Sequence, residues 1–356
     1  MKRIFLLMAV GLGFALPSTA AFKLHRGVNI SHWLSQSDAR GAARAGYFTE
    51  KDVAFIASCG FDHLRIPVDE EQLFRPDGQK DSEAFSLLHN ALHWCRKHKL
   101  RAVVDLHILR SHHFNAKVKP LFTEEKAQEA FYRCWRLISS ELKGYSNSWV
   151  AYELMNEPVA DEPEIWNVIV GRCAAEVRKL EPKRTIIIGS NRWQSYDTVK
   201  DLRIPGNDRH IILSFHYYNP FLLTHYTAPW TDIKDYTGAV HYPGKVVQPE
   251  DLTELPEPTA RKYSWWTGQV WNSEVLARHF ELVLQRAEQL GVKVYCGEYG
   301  CLDTAPEADR YRWYADMDKV LEQKGIARAV WDYKGGFGII KHGEPDWKMI
   351  HLLTGK

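Results

Sequence analysis

Cysteine is scarce and scattered in this chain. Six occur among 356 residues: Cys59, Cys95, Cys134, Cys173, Cys296 and Cys301. Their wide spacing resembles neither a disulfide framework nor a zinc-type cluster. The first four fall in helix-like stretches, where a small buried thiol is the common outcome. Cys296 and Cys301 flank Glu298 and would pair only if the loop between them bends back. Net charge is also low, at +2. A nucleic-acid partner calls for a strong basic patch, so none is expected. No glycine-rich phosphate loop follows the first strand-like run, which counts against a dinucleotide fold. There is no internal repeat, low-complexity linker or zone that would separate a second domain. Beyond the N-terminus no apolar run is long enough to span a bilayer, so the mature chain is expected to carry no membrane anchor.

What is present is ordinary globular composition, 45% hydrophobic and 25% charged, in a chain long enough for a large core. Aromatics stand out, with 13 Trp and 16 Tyr. Many lie in loops, where core packing explains them poorly. Flat aromatic faces suit the apolar C–H faces of sugar rings, although protein interfaces use them too.

The N-terminus reads as an export leader. Lys2 and Arg3 precede an apolar run from Ile4 to Leu16, then Pro17-Ser18-Thr19-Ala20-Ala21. Small residues there allow cleavage after Ala20 or Ala21, and the run is short for a retained span. No Cys follows it, so a lipid anchor is not indicated. A secreted or periplasmic protein is expected, with residues 1–21 as signal peptide.

From residue 22 onward strand-like and helix-like stretches alternate. Strands are expected at 24–30, 61–66, 101–107, 149–154, 185–188, 211–215, 292–297 and 326–331. Between them, Thr49 caps a helix that Gly60 closes. Further helices are expected at about 82–98, 123–142, 162–180, 272–290 and 309–324, and a polar, glycine-rich loop fills the space from the first strand to Gly46. The connection from Asn219 to about Trp271 is unusually long, which points to function. Eight strands with helical crossovers, in one domain spanning 22–356, predict a (β/α)8 TIM barrel with a long loop after strand six.

Two strands end in a lone acid. Ser148-Trp149-Val150-Ala151-Tyr152-Glu153-Leu154-Met155 runs into Asn156-Glu157-Pro158, and Val292-Lys293-Val294-Tyr295-Cys296 runs into Gly297-Glu298-Tyr299-Gly300. A carboxylate at a buried strand end is costly without a purpose. Pro158 should hold Glu157 in extended geometry. In a barrel the C-terminal strand ends meet in one cleft. Arg65, His107, Asn156, Glu157, His216, Tyr218, Glu298 and Trp331 would all lie there. One carboxylic acid beside one carboxylate is what hydrolysis of a glycosidic bond with retention requires. A nearby Arg and a Tyr hydroxyl would keep one of them ionised. Asn156 could bond a sugar 2-OH, and Trp331 offers a flat face beneath the ring.

These motifs, in this order, resemble glycoside hydrolase family 5, the cellulase family of the four/seven barrel clan. They are Arg65-Ile66-Pro67, His107, Asn156-Glu157-Pro158, His216-Tyr217-Tyr218, Gly297-Glu298-Tyr299-Gly300 and Trp331, with Gly27-Val28-Asn29-Ile30-Ser31-His32-Trp33 matching the first-strand pattern. The resemblance implies Glu157 as acid/base and Glu298 as nucleophile. It implies that Arg65 and Tyr218 hold Glu298, and that His107 and His216 line the cleavage point. Trp193 lies where many relatives place a stacking aromatic. No metal and no organic cofactor is implied. The expected partner is a polysaccharide or oligosaccharide, bound by a monomer, and endo-β-1,4-glucanase action is the leading reading. β-Mannanase, xyloglucanase and β-1,3- or β-1,6-glucanase share the same motifs and stay open. Two other classes are alternatives: a metal-dependent barrel hydrolase built on His107, His112, His113 and Asp105, and a non-catalytic carbohydrate-binding barrel.

Overall fold

A computed structural model of the protein describes residues 22–206 and 208–356. The expected leader, residues 1–21, lies outside the described residues. Eight parallel strands close into a barrel: β1 Arg26–Asn29, β2 His63–Asp69, β3 Arg101–Ile108, β4 Val150–Glu153, β5 Ile186–Gly189, β6 Ile211–Tyr217, β7 Lys293–Tyr299 and β8 Ala327–Val330. Each pairs with its sequence neighbours, and β8 closes on β1. Helices Glu50–Ser58, Ser82–Lys97, Glu125–Leu142, Pro163–Leu180, Ser273–Leu290 and Glu307–Gln323 cover the outside. Among the described residues no helix is long and apolar enough to cross a membrane.

Local chemistry explains several boundaries. Thr49 and Asp52 form a capping box, the Thr49 N–H donating to the Asp52 carboxylate at 2.7 Å. Asn272 caps the helix that follows the long connection, accepting from the Val275 N–H at 3.0 Å. That helix ends at Gly291, whose φ of 67° few other residues adopt readily.

Three expectations need correction. The stretch before Gly46 is not all loop, since Gly41–Tyr47 is a helix. Its Arg44 is buried and ion-paired to Asp81 and Glu83. Strand β2 does not stop near Pro67 but runs to Asp69. Arg65 therefore sits inside the barrel rather than at its lip. Core packing also explains more of the loop aromatics than the sequence implied. In the long connection Tyr236, Tyr242, Tyr263 and Trp271 are buried beside Val240, Val246 and Val247. The connection docks on the helix Glu307–Gln323 through the Tyr242 hydroxyl, which donates to Asp316 at 2.9 Å. The Trp313 indole N–H donates back to the Asn219 carbonyl at 2.9 Å.

Strand alternation layers the barrel interior. The base is apolar: Phe22, Val103, Ala151, Ile187, Ile212, Tyr295 and Ala329 form one cluster. Two residues further along β3 and β4, Val103 gives way to Asp105 and Ala151 to Glu153. Another step along β3 reaches His107. The interior thus passes from apolar to charged as it approaches the C-terminal ends, where the cleft opens.

Candidate active site

Arg65 is the hub. Its guanidinium is fully buried and faces five oxygens. Nε donates to Glu153 at 2.7 Å, Nη1 to Asn29 at 2.9 Å and to Glu298 at 2.7 Å, and Nη2 to Asn156 at 2.8 Å. Asp105 lies 3.1 Å from Nη2. Four N–H groups of the planar fork thus donate to side-chain oxygens, and Asp105 adds a charge contact beside Nη2. Register explains the arrangement. Asn29 is opposite Arg65 across β1 and β2, and Asp105 is opposite Glu153 across β3 and β4.

Glu298 stands on β7 beside a β-bulge. The pairing shifts between Phe215 and His216, so Cys296 faces Phe215 while Glu298 faces His216. Gly297 is the extra residue, and it has no room for a side chain. A Cβ there would lie 2.8 Å from the Ser214 hydroxyl and 3.2 Å from His216 Nε2. The bulge brings Glu298 to Arg65 on one side and to the Tyr218 hydroxyl, which donates at 2.8 Å, on the other. Asn29 braces the same stretch by donating to the Gly297 carbonyl at 3.0 Å.

Glu157 approaches from the loop after β4. Its carboxyl lies 3.1 Å from His216 Nδ1, which is 3.6 Å from Glu298. One oxygen of each Glu and one His216 nitrogen all lie within 4.8 Å of one another. The Glu157 backbone departs from expectation. It has φ of +43°, in the left-handed region, rather than the extended form that a following proline favours. The reason is tethering on both sides of the residue. The Glu157 N–H donates to Gln194 Oε1 at 2.8 Å, and the Glu157 carbonyl lies 3.0 Å from His112 Nε2.

Burial and charge separate the two acids. Burial raises Glu157 well above the usual carboxylate range, and the neighbouring Glu298 raises it further. Burial raises Glu298 as well, but there Arg65 and the Tyr218 hydroxyl bond pull the other way. Burial pushes His107 down to about 3 and His216 well below its ordinary value, so both rings are neutral. His107 Nδ1 is 2.7 Å from Asp105, and its ring lies parallel to Trp331 with centroids 5.5 Å apart.

The structure therefore brings Arg65, His107, Asn156, Glu157, His216, Tyr218, Glu298 and Trp331 into one cluster. Trp193 is on the loop after β5, 43% exposed, with its backbone N–H 3.3 Å from the Pro158 carbonyl. Trp331 is more enclosed than a bare platform, being packed with Ala228, Leu302 and Phe337. Among the described residues, His107, His112, His113 and Asp105 form no common ligand cluster. His107 is bound to Asp105, His112 to the Glu157 carbonyl, and His113 stacks on Phe114. Cys296 and Cys301 are free and buried, as are the other four cysteines.

Sequence reading passed over Glu153, Gln194 and Asn29 as site residues, and saw Asp105 only as a metal ligand. The period of two along β3 and β4 could have found both acids, since Asp105 shares a face with His107 and Glu153 with Ala151. For Gln194 there is no signal beyond its place after Trp193.

Comparison with known proteins agrees with this geometry. The family model described as Cellulase (glycosyl hydrolase family 5) matches residues 26–336. The chain belongs to glycosyl hydrolase family 5. It is a glycoside hydrolase, and its family relatives align along most of its length. Endoglucanase C of Acetivibrio thermocellus is 33% identical over 318 residues, covering 86% of this chain and 90% of that protein. Cellodextrinase A of Ruminococcus flavefaciens is 32% identical, covering 85% of this chain and 83% of that one. Among solved structures, the clostridial cellulose synthase subunit Z of Clostridioides difficile superposes with a TM-score of 0.74 at 25% identity. It covers 93% of this chain and 99% of that one.

Proposed function

We propose that this family 5 enzyme is a retaining endo-β-1,4-glucanase in which Glu157 is the acid/base and Glu298 the nucleophile. The observation that carries the mechanism is the pair of carboxyls, with oxygens within 4.8 Å and unlike surroundings. Retaining enzymes hold their two carboxyls about 5–5.5 Å apart, whereas inverting ones leave room for a water at about 6.5–9.5 Å. Glu298, beside Arg65 and Tyr218, keeps its charge and attacks the anomeric carbon. Glu157, kept protonated by burial and by its neighbour's charge, gives its proton to the departing oxygen. A covalent glycosyl-enzyme forms. Glu157, now ionised, takes a proton from water, which attacks the same carbon and frees Glu298. Asn156 contributes its amide NH2 to the sugar, because its carbonyl oxygen is committed to Arg65. His107 and His216 serve as neutral hydrogen-bonding groups, and Trp331 supplies an apolar edge.

The choice of glucan rests on relatives named as endoglucanases and a cellodextrinase. Two measurements test the reading. Proton NMR of the first product from cellopentaose should show the β-anomer, and an α-anomer would overturn the retaining mechanism. Barley β-glucan and carboxymethylcellulose should yield mixed oligosaccharides. Activity confined to mannan, xyloglucan or laminarin would replace the substrate and leave the chemistry standing. We also propose export through cleavage after Ala20 or Ala21, checked by N-terminal sequencing of protein recovered outside the cytoplasm. Action as a monomer is a further proposal, checked by light scattering.

A further inference from the structure

We propose that Gln194 is a positioning residue for the acid step: its side-chain amide holds the Glu157 backbone in the conformation that aims the carboxyl at the scissile bond. The proposal rests on the acid/base reading of Glu157 given above.

Four observations lead to it. First, Glu157 has φ of +43°, a conformation that L-residues rarely adopt and that persists only when the surroundings enforce it. Second, Gln194 is fully buried and lies directly against that peptide, its Oε1 accepting the Glu157 N–H at 2.8 Å. Third, the amide has a forced orientation. A backbone N–H only donates, so Oε1 must face it. Nε2 then donates to Glu153 Oε1 at 3.1 Å, and Glu153 Oε2 accepts from Arg65, which also holds Glu298. Hydrogen bonds thus run without a break from Glu157 through Gln194, Glu153 and Arg65 to Glu298, tying the two acids to one frame. Fourth, the chain is contorted to deliver this side chain. Arg192, Trp193 and Gln194 have φ of 57°, 60° and 53°, three left-handed residues in a row. Gly189 leaves the amide its space, since a Cβ there would lie 2.1 Å from Gln194 Nε2.

If the amide is removed, the Glu157 N–H loses its acceptor and the peptide is free to take the extended form that Pro158 favours. The carboxyl would swing away from the leaving-group oxygen. Binding and nucleophilic attack would be affected less, because the Gln194 amide bonds Glu157 and Glu153 and not Glu298, Tyr218 or Asn29 directly.

The test is a leaving-group comparison on Gln194→Met, which preserves side-chain length and removes both hydrogen bonds. A general acid supplies about 10²–10⁴-fold, so kcat/KM on cellotetraose should fall about 10–100-fold. On 2,4-dinitrophenyl β-cellobioside, whose leaving group departs without a proton, kcat/KM should stay within about threefold. Sodium azide should raise the variant's turnover of the aryl glycoside and not the wild type's. Azide attacks the anomeric carbon without base assistance, the bond to Glu298 breaks, and β-cellobiosyl azide is released. Equal losses on both substrates, or no loss on either, would overturn the proposal. Glu157→Ala is run in parallel. If it shows the leaving-group split and azide rescue while Gln194→Met does not, only the role of Gln194 fails. If Glu157→Ala itself lacks the split, the acid/base assignment fails and this inference with it. Should Gln194→Met not fold, Gln194→Asn carries the same comparison, because the shorter side chain withdraws the amide from the Glu157 N–H.

Discussion

The floor of the cleft and its rim are built from opposite materials. The floor is a cluster of charges out of water. Around the single guanidinium of Arg65 stand Asp105, Glu153 and Glu298, with Glu157 close by. The rim, where the connection 219–271 reaches Trp331 through Ala228, is aromatic. Its inner face has its own small core of Tyr236, Tyr242 and Tyr263, and its outer face leaves Trp230 and Trp265 more than half exposed. Buried charge is expensive, and one cation cannot neutralise four carboxylates. The floor must therefore retain protons at neutral pH. Burial raises Glu157, Glu153 and Asp105, the last to about 7. The rim carries no such cost. On the proposed reading the floor carries the chemistry, and the exposed rings of the rim are proposed to meet the glycan outside the reacting bond.

That division is sharpest where a single floor residue is removed. Glu298→Ala should abolish turnover by at least about 10⁴-fold, as deletion of a covalent nucleophile does elsewhere. Circular dichroism should remain native, because the substitution relieves crowding of like charge. Arg65→Met should be nearly as damaging to rate and, unlike Glu298→Ala, damaging to the fold. Breaking a buried ion pair costs about 3–5 kcal/mol, and here three carboxylates lose their partner at once. A melting temperature close to wild type for Arg65→Met would mean that the floor is not held by charge.

A smaller effect concerns pH. On the proposed mechanism turnover needs Glu157 protonated and Glu298 ionised, so kcat/KM should fall as pH rises through the raised Glu157 value and as pH drops below that of Glu298. Asp105 is one of the charges that raise Glu157. Asp105→Asn should therefore move the basic limb toward acid pH, by less than about one unit. A shift of that limb in the alkaline direction would contradict the assignment of Glu157 as the group that must keep its proton.

How much of this was legible beforehand follows the same division. The strand ends could be read, because apolar runs broken by Glu157, His107, His216 or Glu298 are local patterns with a physical cause. So could the barrel, since strands and helices alternate at regular intervals. The layer beneath was harder. Arg65 was expected at a strand end, and only the continuation of β2 to Asp69 puts it inside, where Glu153 and Asp105 become its partners. The positive φ of Glu157 ran against the local rule for residues before proline, because a side chain 37 residues later overrides that rule. The rim aromatics were over-read. Burial against a helix distant in sequence is invisible to composition, and four of the nine rings in that connection, Tyr236, Tyr242, Tyr263 and Trp271, are core.

Trp230 tests the boundary between the two regions. It is 56% exposed, and its ring meets His225 edge-on with centroids 6.4 Å apart. His225 in turn meets Tyr218 edge-on at 5.1 Å, and Tyr218 bonds Glu298. Two aromatic contacts and one hydrogen bond thus lie between Trp230 and Glu298, the proposed nucleophile. If it belongs to the rim, Trp230→Ala should raise KM for cellohexaose about 2–10-fold, the worth of one aromatic contact, and leave kcat unchanged. Hydrolysis of 2,4-dinitrophenyl β-cellobioside, which fills fewer sugar positions, should barely respond. A fall in kcat on both substrates would mean that the ring acts through His225 and Tyr218 on Glu298, and the line between floor and rim would have to be drawn further out.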